Sequence, residues 1–206
     1  KKLNGEIING DAIQVYKHLD IGSAKVKESE KENIPHHLFD IKEVNEEYSI
    51  YDYQIDCRNK IKEIQAKNKT VIIVGGTGLY IKSALYNYTL EKTPPIKNDY
   101  EELSTEELYH LLLSIDPDTN LDKHNRRRII RAINYYNSSN KSITANNDGS
   151  NLLYDAIFIG LTTDRSILYN RINMRVDKMF NDGLLEEVKS FYDKSIREKP
   201  LMSGIG

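Results

Sequence analysis

One stretch constrains the fold more than any other. It is an unbroken β-branched run, Thr70–Val74, that passes directly into the glycine turn Gly75–Gly78. A continuous apolar run of this length is typical of a strand buried on both faces of a sheet. A helical pattern starts at Ser49 before it, and another covers Leu79–Tyr86 after it. This order of elements predicts an α/β fold whose parallel sheet is flanked by helices.

Two further apolar runs fit the same sheet. Glu6–Asn9 follows a pair, Asn4 and Gly5, that is typical of a helix C-cap, and Ala156–Leu161 has the pattern of a second buried strand. After the second run, we predict a helix that is capped by Asp164 and reaches Asn181, and a further helix from Leu184 to about Tyr192. Both ends of the sequence stop inside such patterns, so we expect both termini to be truncated.

The composition changes in the middle of the chain. Lys92–Asp99 contains two prolines and is typical of a linker, and Ser104–Glu107 has the pattern of a capping box that starts a short helix. A basic helix is predicted over Asn125–Asn137. We therefore predict a small helical insertion at 92–121, which divides an α/β core into the segments 1–91 and 122–206.

The composition also excludes several classes of protein. The 206 residues are 39% apolar and 29% charged, as expected for a globular chain with a sizeable core. A net charge of −2 gives no overall basic field, so binding to nucleic acid would depend on a local patch. The single cysteine, Cys57, excludes a disulfide framework and a cysteine-rich zinc site. No apolar run is long enough for a membrane span, and we expect a monomer in the cytoplasm.

Asp11 is the first candidate for chemistry. A carboxylate just beyond the carboxyl end of a strand occupies the edge where open α/β sheets bind ligands. Asp11 could serve as a general base, a magnesium ligand or a helix N-cap, and the residues alone favour the N-cap. Gln14 could complete a capping box, pair with an adenine edge, or lie on the surface.

The turn at Gly75–Gly78 is the second candidate. Glycines ahead of a helix N-terminus suit the approach of an anion, although a tight turn without a ligand is an equal alternative. The stretch from Gly76 to Ser83 nearly matches a phosphate-binding loop, but Ile81 occupies the position of its second glycine. Because a β-branched residue resists the backbone angles required there, we predict that this stretch is not a phosphate loop.

Two groups of basic residues could bind phosphates. Five Lys or Arg residues and one Asp between Asp122 and Arg131 give a local charge of +4. This patch either binds a nucleic-acid backbone or is a solvated face that pairs with acidic residues near 101–107. Arg171 and Arg175 lie one helical turn apart and could clamp a diphosphate, although such pairs are common on exposed helices.

The adjacent residues His36 and His37 are a weaker candidate. Neighbouring side chains point to different sides of most elements, so two adjacent histidines rarely bind one metal ion. We therefore predict a structural turn there and no zinc site.

These segments, in this order and spacing, resemble the tRNA dimethylallyltransferase family, also called tRNA isopentenyltransferases. The resemblance covers nearly the whole chain and depends on the ordered set rather than on one motif. The segments that carry it are Asp11–Tyr16, Leu19–Lys25, Pro35–Ile41, Val74–Tyr80, Arg127–Arg131, Arg171–Asp177 and Gly183–Val188.

The resemblance implies a P-loop NTPase-like fold and a prenyltransferase. Such an enzyme moves a dimethylallyl group from dimethylallyl diphosphate to the exocyclic N6 amine of an adenine. In the family, this adenine lies beside the anticodon of tRNAs that read codons beginning with U. The implied partners are a tRNA anticodon stem-loop and dimethylallyl diphosphate, the implied cofactor is Mg²⁺, and the helical insertion would bind tRNA.

The resemblance also assigns roles to particular residues. Asp11 matches the general base, Thr77 matches a residue of the reaction channel, and Arg171, with Arg175, matches the side that holds the diphosphate. The residues that match tRNA-contacting positions are Asp11, Ala12, Ile13, Gln14, Thr77, Arg127, Arg128, Ile129, Ile130 and Arg131.

The sequence departs from the family pattern in several places. The family has a glycine-rich phosphate loop, which carries the expected magnesium ligand, before its first helix, and this chain starts at what resembles the last turn of that helix. We therefore expect this chain to bind diphosphate poorly and to be inactive. The C-terminal helices that hold tRNA are also outside the match, the insertion is short, and Lys123-His124-Asn125 replaces a common His-Pro-Asn pattern.

Three alternatives stay open at this point. An adenylate isopentenyltransferase shares the sheet and the donor site but uses free adenine nucleotides, and the basic helix favours tRNA instead. A nucleotide or shikimate kinase of the same fold class would transfer phosphate, for which Asp11 followed by Gln14 is unsuited. A non-catalytic RNA-binding relative without a phosphate loop is the third.

Overall fold

The computed structural model describes residues 2–90, 100–143 and 149–194. The chain forms two compact units: unit 1 contains the residues up to Tyr86 and from Asn151 onward, and unit 2 is Asn87–Ser150. Unit 2 is longer than the insertion predicted at 92–121, because the basic helix that follows the insertion shares an apolar core with it. Within the described ranges, no helix combines the length and the apolar character needed to cross a membrane.

A parallel sheet lies at the centre of unit 1. Its three strands in the described residues are β1 (Gly5–Asn9), β2 (His36–His37) and β3 (Thr70–Val74), in the order β2-β1-β3. β1 pairs with β3 in register, with Asn9 opposite Val74. Parallel strands end at the same edge of a sheet, so the segment after Asn9 lies beside the glycine turn after Val74.

Two helices accompany this sheet: the first packs against its strands, and the second packs mainly against the first helix. α1 (Ile50–Ala66) begins where predicted, because the Ser49 hydroxyl accepts the N–H of Asp52 and the Asp52 carboxylate accepts the N–H of Ser49. α2 (Gly78–Leu85) follows the glycine turn. The buried face of α1 carries Tyr53, Cys57, Ile61 and Ile64, and these side chains pack with Ile8 of β1 and Ala84 of α2.

The last part of unit 1 differs from the prediction. The run Ala156–Leu161 was predicted to be a buried strand, but it pairs with no strand of the described residues. Ile157, Ile159 and Leu161 are each more than four-fifths exposed, at 91%, 83% and 97%. The prediction was wrong because an apolar run becomes a strand only where a neighbouring strand supplies backbone partners.

Two helices end the described part of unit 1. They are α5 (Arg165–Asn181) and α6 (Leu184–Asp193), close to the predicted positions. Gly183 joins them with φ of 104°, a left-handed conformation that favours glycine. No residue of α5 is buried in the structure as described.

Unit 2 is built from α3 (Thr105–Ile115) and α4 (Arg126–Ser139). The predicted capping box at Ser104 and Glu107 starts α3, and Asn125 caps α4 by accepting the N–H of Arg128. The core between the two helices contains Leu108, Leu112, Ile129, Ile130, Ala132 and Ile133.

Candidate active site

Asp11 lies directly beyond the carboxyl end of β1, and its two carboxylate oxygens have different surroundings. Oδ1 accepts the backbone N–H groups of Ile13 at 2.8 Å and Gln14 at 3.3 Å. These bonds resemble those of the predicted N-cap, but they close a turn from which no helix begins. Oδ2 has no hydrogen-bond partner in the described residues and lies 4.0 Å from the place of a Cβ on Gly76. One oxygen therefore fixes the turn, while the other can accept a proton.

Asn9, which the sequence reasoning did not select, holds the backbone on both sides of that carboxylate. Its side chain is fully buried. Its Oδ1 accepts the N–H of Asp11 at 2.9 Å, and its Nδ2 donates to the carbonyls of Asp11 at 2.9 Å and Leu38 at 3.1 Å. The signal in the sequence was a polar amide at the last position of an apolar strand, two residues before the aspartate.

Thr77 joins the Asp11 turn to the glycine turn. Its Oγ1 accepts the N–H of Ala12 at 3.0 Å, and its N–H donates to the Gly10 carbonyl at 3.1 Å. A Cβ on Gly75 would lie 2.1 Å from the carbonyl carbon of Gly10, whereas a Cβ on Gly78 would meet nothing within 4 Å. Gly75 is thus required for the close approach of its backbone to that of Gly10, whereas there is free space beside Gly78.

Gln14 and Glu187 hold the loop that follows the Asp11 turn. The Gln14 amide donates to the Ser23 carbonyl at 2.9 Å, so its nitrogen is used within the protein. The Glu187 carboxylate of α6 accepts three consecutive backbone N–H groups, Asp20–Gly22, at 2.9, 2.7 and 3.0 Å. These bonds connect the α5–α6 pair to the site edge of the sheet, and the sequence reasoning did not find them.

The two arginines predicted to hold the diphosphate lie on α5. Both Arg171 and Arg175 are exposed. Across residues 2–90, 100–143 and 149–194, neither guanidinium group has a hydrogen bond or an ion pair, to Asp11 and Thr77 or to any other residue. The structure therefore bonds Gln14 to Asp11 and Thr77 to the neighbouring Ala12. The arginine pair lies on a separate helix, and within the described residues no hydrogen bond or ion pair compensates its charges.

The predicted tRNA-contacting stretch of α4 divides into two faces. Arg127, Arg128 and Arg131 are exposed, whereas Ile129 and Ile130 are 0% and 8% exposed in the core of unit 2. The side chains of the two isoleucines are therefore enclosed in that core, and the exposed side chains of the stretch are those of the arginines. Arg126 donates to the carbonyls of Tyr100 and Leu103 and has a structural role in unit 2.

The stretch that nearly matches a phosphate loop is not one. Ser83 is fully buried in α2, and its hydroxyl donates to the Tyr80 carbonyl at 2.8 Å. Lys82 lies in the same helix with its ammonium 5.9 Å from the centre of the Tyr86 ring. A hydroxyl in this position cannot meet a phosphate, which confirms the prediction.

The histidine pair belongs to β2 and has a structural role. The Nε2 atom of His37 lies 2.6 Å from Oε2 of the buried Glu6, and Lys69 donates to the other oxygen at 2.7 Å. These hydrogen bonds, that from Lys69 first, lower the pKa of Glu6 from 4.5 to about 2. The predicted turn at this pair is in fact a short strand, paired in parallel with β1.

The described residues contain no group of three or more His, Cys, Asp or Glu side chains that could hold a metal ion. Asp11 Oδ2 offers one carboxylate oxygen. Mg²⁺ commonly takes one or two carboxylates together with water and substrate phosphates. The residues present are therefore compatible with a magnesium ion that is held mainly by a bound diphosphate.

A carboxylate held at the carboxyl edge of a parallel sheet, beside a glycine turn, gives an α/β protein with its candidate site at the edge where open α/β sheets bind ligands. The chain belongs to the IPP transferase family, whose family model matches residues 14–206. The predicted family and fold class are thus confirmed.

Two curated relatives carry the name tRNA dimethylallyltransferase. The one from Anoxybacillus flavithermus is 46% identical over an alignment of 213 positions, which covers 100% of this chain and 68% of the relative. The one from Bacillus subtilis is 45% identical over 217 residues, at 100% and 69% coverage.

Solved structures agree with this family. The tRNA isopentenylpyrophosphate transferase of Staphylococcus epidermidis is 38% identical, with a TM-score of 0.66 over 98% of this chain and 70% of that chain. A eukaryotic dimethylallyltransferase acting on tRNA is 31% identical, with a TM-score of 0.81 over 94% of this chain and 50% of that chain.

Proposed function

We propose that this protein transfers a dimethylallyl group from dimethylallyl diphosphate to the N6 amine of an adenine in the anticodon loop of a tRNA. One observation carries the proposal: beyond the carboxyl end of β1, Oδ1 of Asp11 is fixed in a turn, while Oδ2 has no hydrogen-bond partner in the described residues. The names of the curated relatives, and the similarity to a eukaryotic dimethylallyltransferase that acts on tRNA, support the same substrates.

Asp11 acts as the general base. In the reaction, the amine nitrogen forms a bond to C1 of the dimethylallyl group, the C1–O bond breaks, and diphosphate leaves. The amine loses a proton, and Asp11 Oδ2 accepts it. An arylamine is a weak nucleophile because its lone pair is delocalised, so a carboxylate within hydrogen-bonding reach raises the electron density on nitrogen as the bond forms.

Arg171 and Arg175 bind the leaving diphosphate. Two guanidinium groups one turn apart on a helix can each form bidentate hydrogen bonds with phosphate oxygens. Their exposure and the lack of anionic partners in the described residues support this role. Mg²⁺, when bound, neutralises part of the diphosphate charge.

The exposed arginines of α4 bind the tRNA backbone. Arg127, Arg128 and Arg131 lie on the solvent side of a helix whose other side is anchored in the core of unit 2. Rigid anchoring and an exposed cationic face suit contacts to phosphates, which position a nucleic acid without reading its sequence. Flipping an adenine out of a single-stranded loop costs only a few kcal/mol.

The experiment uses the full-length gene product with dimethylallyl diphosphate, Mg²⁺ and an anticodon stem-loop that carries an adenine next to the anticodon. We expect N6-dimethylallyladenine in the RNA by mass spectrometry. AMP serves as the competing acceptor, and a stem-loop with guanine at the target position is the matched control. Product with AMP alone would replace the proposal with an adenylate isopentenyltransferase. RNA binding without any product would favour a non-catalytic RNA-binding protein.

A further inference from the structure

We infer that Asn9 is a positioning residue for the proposed general base: its buried amide sets the position of the Asp11 carboxylate by bonding the backbone on both sides of it. The inference rests on the proposed function, because it assigns Asn9 a role in the same reaction. Asn9 does not reach the open edge of the site. It acts through Asp11.

The hydrogen-bonding pattern of Asn9 is specific for the Asp11 peptide units. Oδ1 of Asn9 accepts the Asp11 N–H, and Nδ2 donates to the Asp11 carbonyl, each at 2.9 Å. The two bonds flank the Asp11 Cα, so they restrict both backbone dihedral angles of Asp11, which set the direction of its Cα–Cβ bond. A side chain with only a donor or only an acceptor could restrict one of them.

Asn9 is itself held by the core. Nδ2 also donates to the Leu38 carbonyl at 3.1 Å, and the hydroxyl of Tyr53 donates to the Asn9 carbonyl at 2.9 Å. Tyr53 stacks on Tyr80 with ring centroids 4.3 Å apart, deep between α1 and α2. Through Asn9, the Asp11 backbone is therefore held in place by the buried core of unit 1.

Replacing the buried Asn9 amide removes all three of these side-chain hydrogen bonds. Without it, the N–H and carbonyl of Asp11 would lack partners or would turn toward water, and the carboxylate would move with them. Displacements of about 1 Å at a reacting group can lower a rate by about 100-fold. We therefore expect Asn9 to affect the chemical step rather than tRNA binding.

The test is a double-mutant cycle in the full-length protein, with Asn9→Ala, Asp11→Ala and the double variant assayed by single-turnover formation of dimethylallyl-RNA at a temperature where all are folded. We expect Asn9→Ala to lower the rate by roughly 10- to 100-fold with KM for the stem-loop unchanged. In the Asp11→Ala background, the same change should have no further effect, because its target is gone.

Two further variants separate positioning from general stability. Asn9→Ser keeps a short side-chain oxygen that can accept the Asp11 N–H, and it should recover part of the rate. Gln54→Ala is the matched control, since Gln54 is another buried amide that donates to a backbone carbonyl, that of Ser83, at 2.7 Å. It should lower Tm without changing the rate.

The outcomes are distinguishable from failure of the proposed function. Equal rate losses from Asn9→Ala in both backgrounds, or a near-normal rate for Asn9→Ala, would overturn the inference. A near-normal rate for Asp11→Ala would instead overturn the assignment of the general base, whatever the effect of Asn9.

Discussion

The hydroxyl oxygen of Thr77 accepts the backbone N–H of Ala12 at 3.0 Å, although 65 residues separate the two positions in the sequence. This bond joins the segment after β1 to the segment after β3, so the proposed base and the glycine turn form one structure. Thr77 therefore has a structural contact at the site in addition to the channel role that the resemblance assigns to it.

The first prediction concerns Asp11. Asp11→Asn keeps an oxygen for the turn but loses the acceptor of a proton, whereas Asp11→Ala loses both. We expect each variant to lower turnover by roughly 10²–10⁴-fold, with tRNA affinity nearly unchanged and with Asp11→Asn the more stable of the two. Single-turnover assays and thermal unfolding measure these effects. Asp193→Ala, which changes an exposed residue of α6, is the control.

The second prediction concerns the basic face of α4. Arg127→Ala should weaken stem-loop binding and reduce the slope of log K against log salt by about one. Arg128→Ala should act similarly, because both side chains are exposed. Fluorescence anisotropy over a salt series measures this, with the exposed Lys62→Ala on α1 as the charge-matched control. An unchanged slope would mean that this arginine is merely solvated.

The third prediction compares two glycines of one turn. Gly75→Ala should destabilise the protein by about 3 kcal/mol, because the new methyl group would overlap the backbone of Gly10. Gly78→Ala should leave Tm unchanged or higher, since it adds a better helix former in open space. Denaturant unfolding of both variants gives the comparison, and equal stabilities would contradict the close approach at Gly75.

The fourth prediction concerns the attachment of α6. Glu187→Ala would leave the N–H groups of Asp20–Gly22 without their shared acceptor. We expect their amide hydrogen exchange to accelerate about 10-fold or more, since hydrogen bonds to a charged group are among the stronger ones. The neighbouring Glu186→Ala is the control. Unaltered exchange in the Glu187 variant would show that the loop keeps its form without α6.

The fifth prediction concerns acid stability. The pKa of Glu6 is lowered to about 2, so the stabilisation from its ionised form is complete above the unfolded value of 4.5 and is lost as pH falls toward 2. Glu6→Gln should be less stable than wild type at neutral pH, and the two free energies of unfolding should converge between about pH 5 and pH 2. A difference that does not change with pH would exclude this ion cluster as the cause.

Features that depend on local sequence were predictable. The starts of α1 and α3 follow from the capping boxes at Ser49 and Ser104, because each box needs only residues three positions apart. The place of Asp11 beyond a strand was also predictable, because the apolar run that forms β1 directly precedes it in the sequence. The sequence did not predict that only one of the two carboxylate oxygens of Asp11 would bond to the turn.

Features that depend on distant partners were not predictable from one sequence. In the sequence, Asn9 is only the last residue of a strand, and its hydrogen bonds with Leu38 and Tyr53 form only in the folded chain. In the sequence, Glu187 has the pattern of a surface residue of a helix. Its carboxylate accepts backbone N–H groups from a loop about 165 positions earlier only in the folded chain. The burial of Ile129 and Ile130 depends on α3, and the run Ala156–Leu161 depends on a neighbouring strand.

The different surroundings of the two carboxylate oxygens of Asp11 have a consequence for the proposed catalytic cycle. The two N–H groups of the turn bond only to Oδ1, so a proton arriving at Oδ2 displaces neither of them. The loop can alternate between a neutral and an anionic carboxyl without rearranging its backbone. In the proposed reaction, the return of this base to its anionic form between substrates then requires only the departure of that proton to solvent, without a rearrangement of the turn.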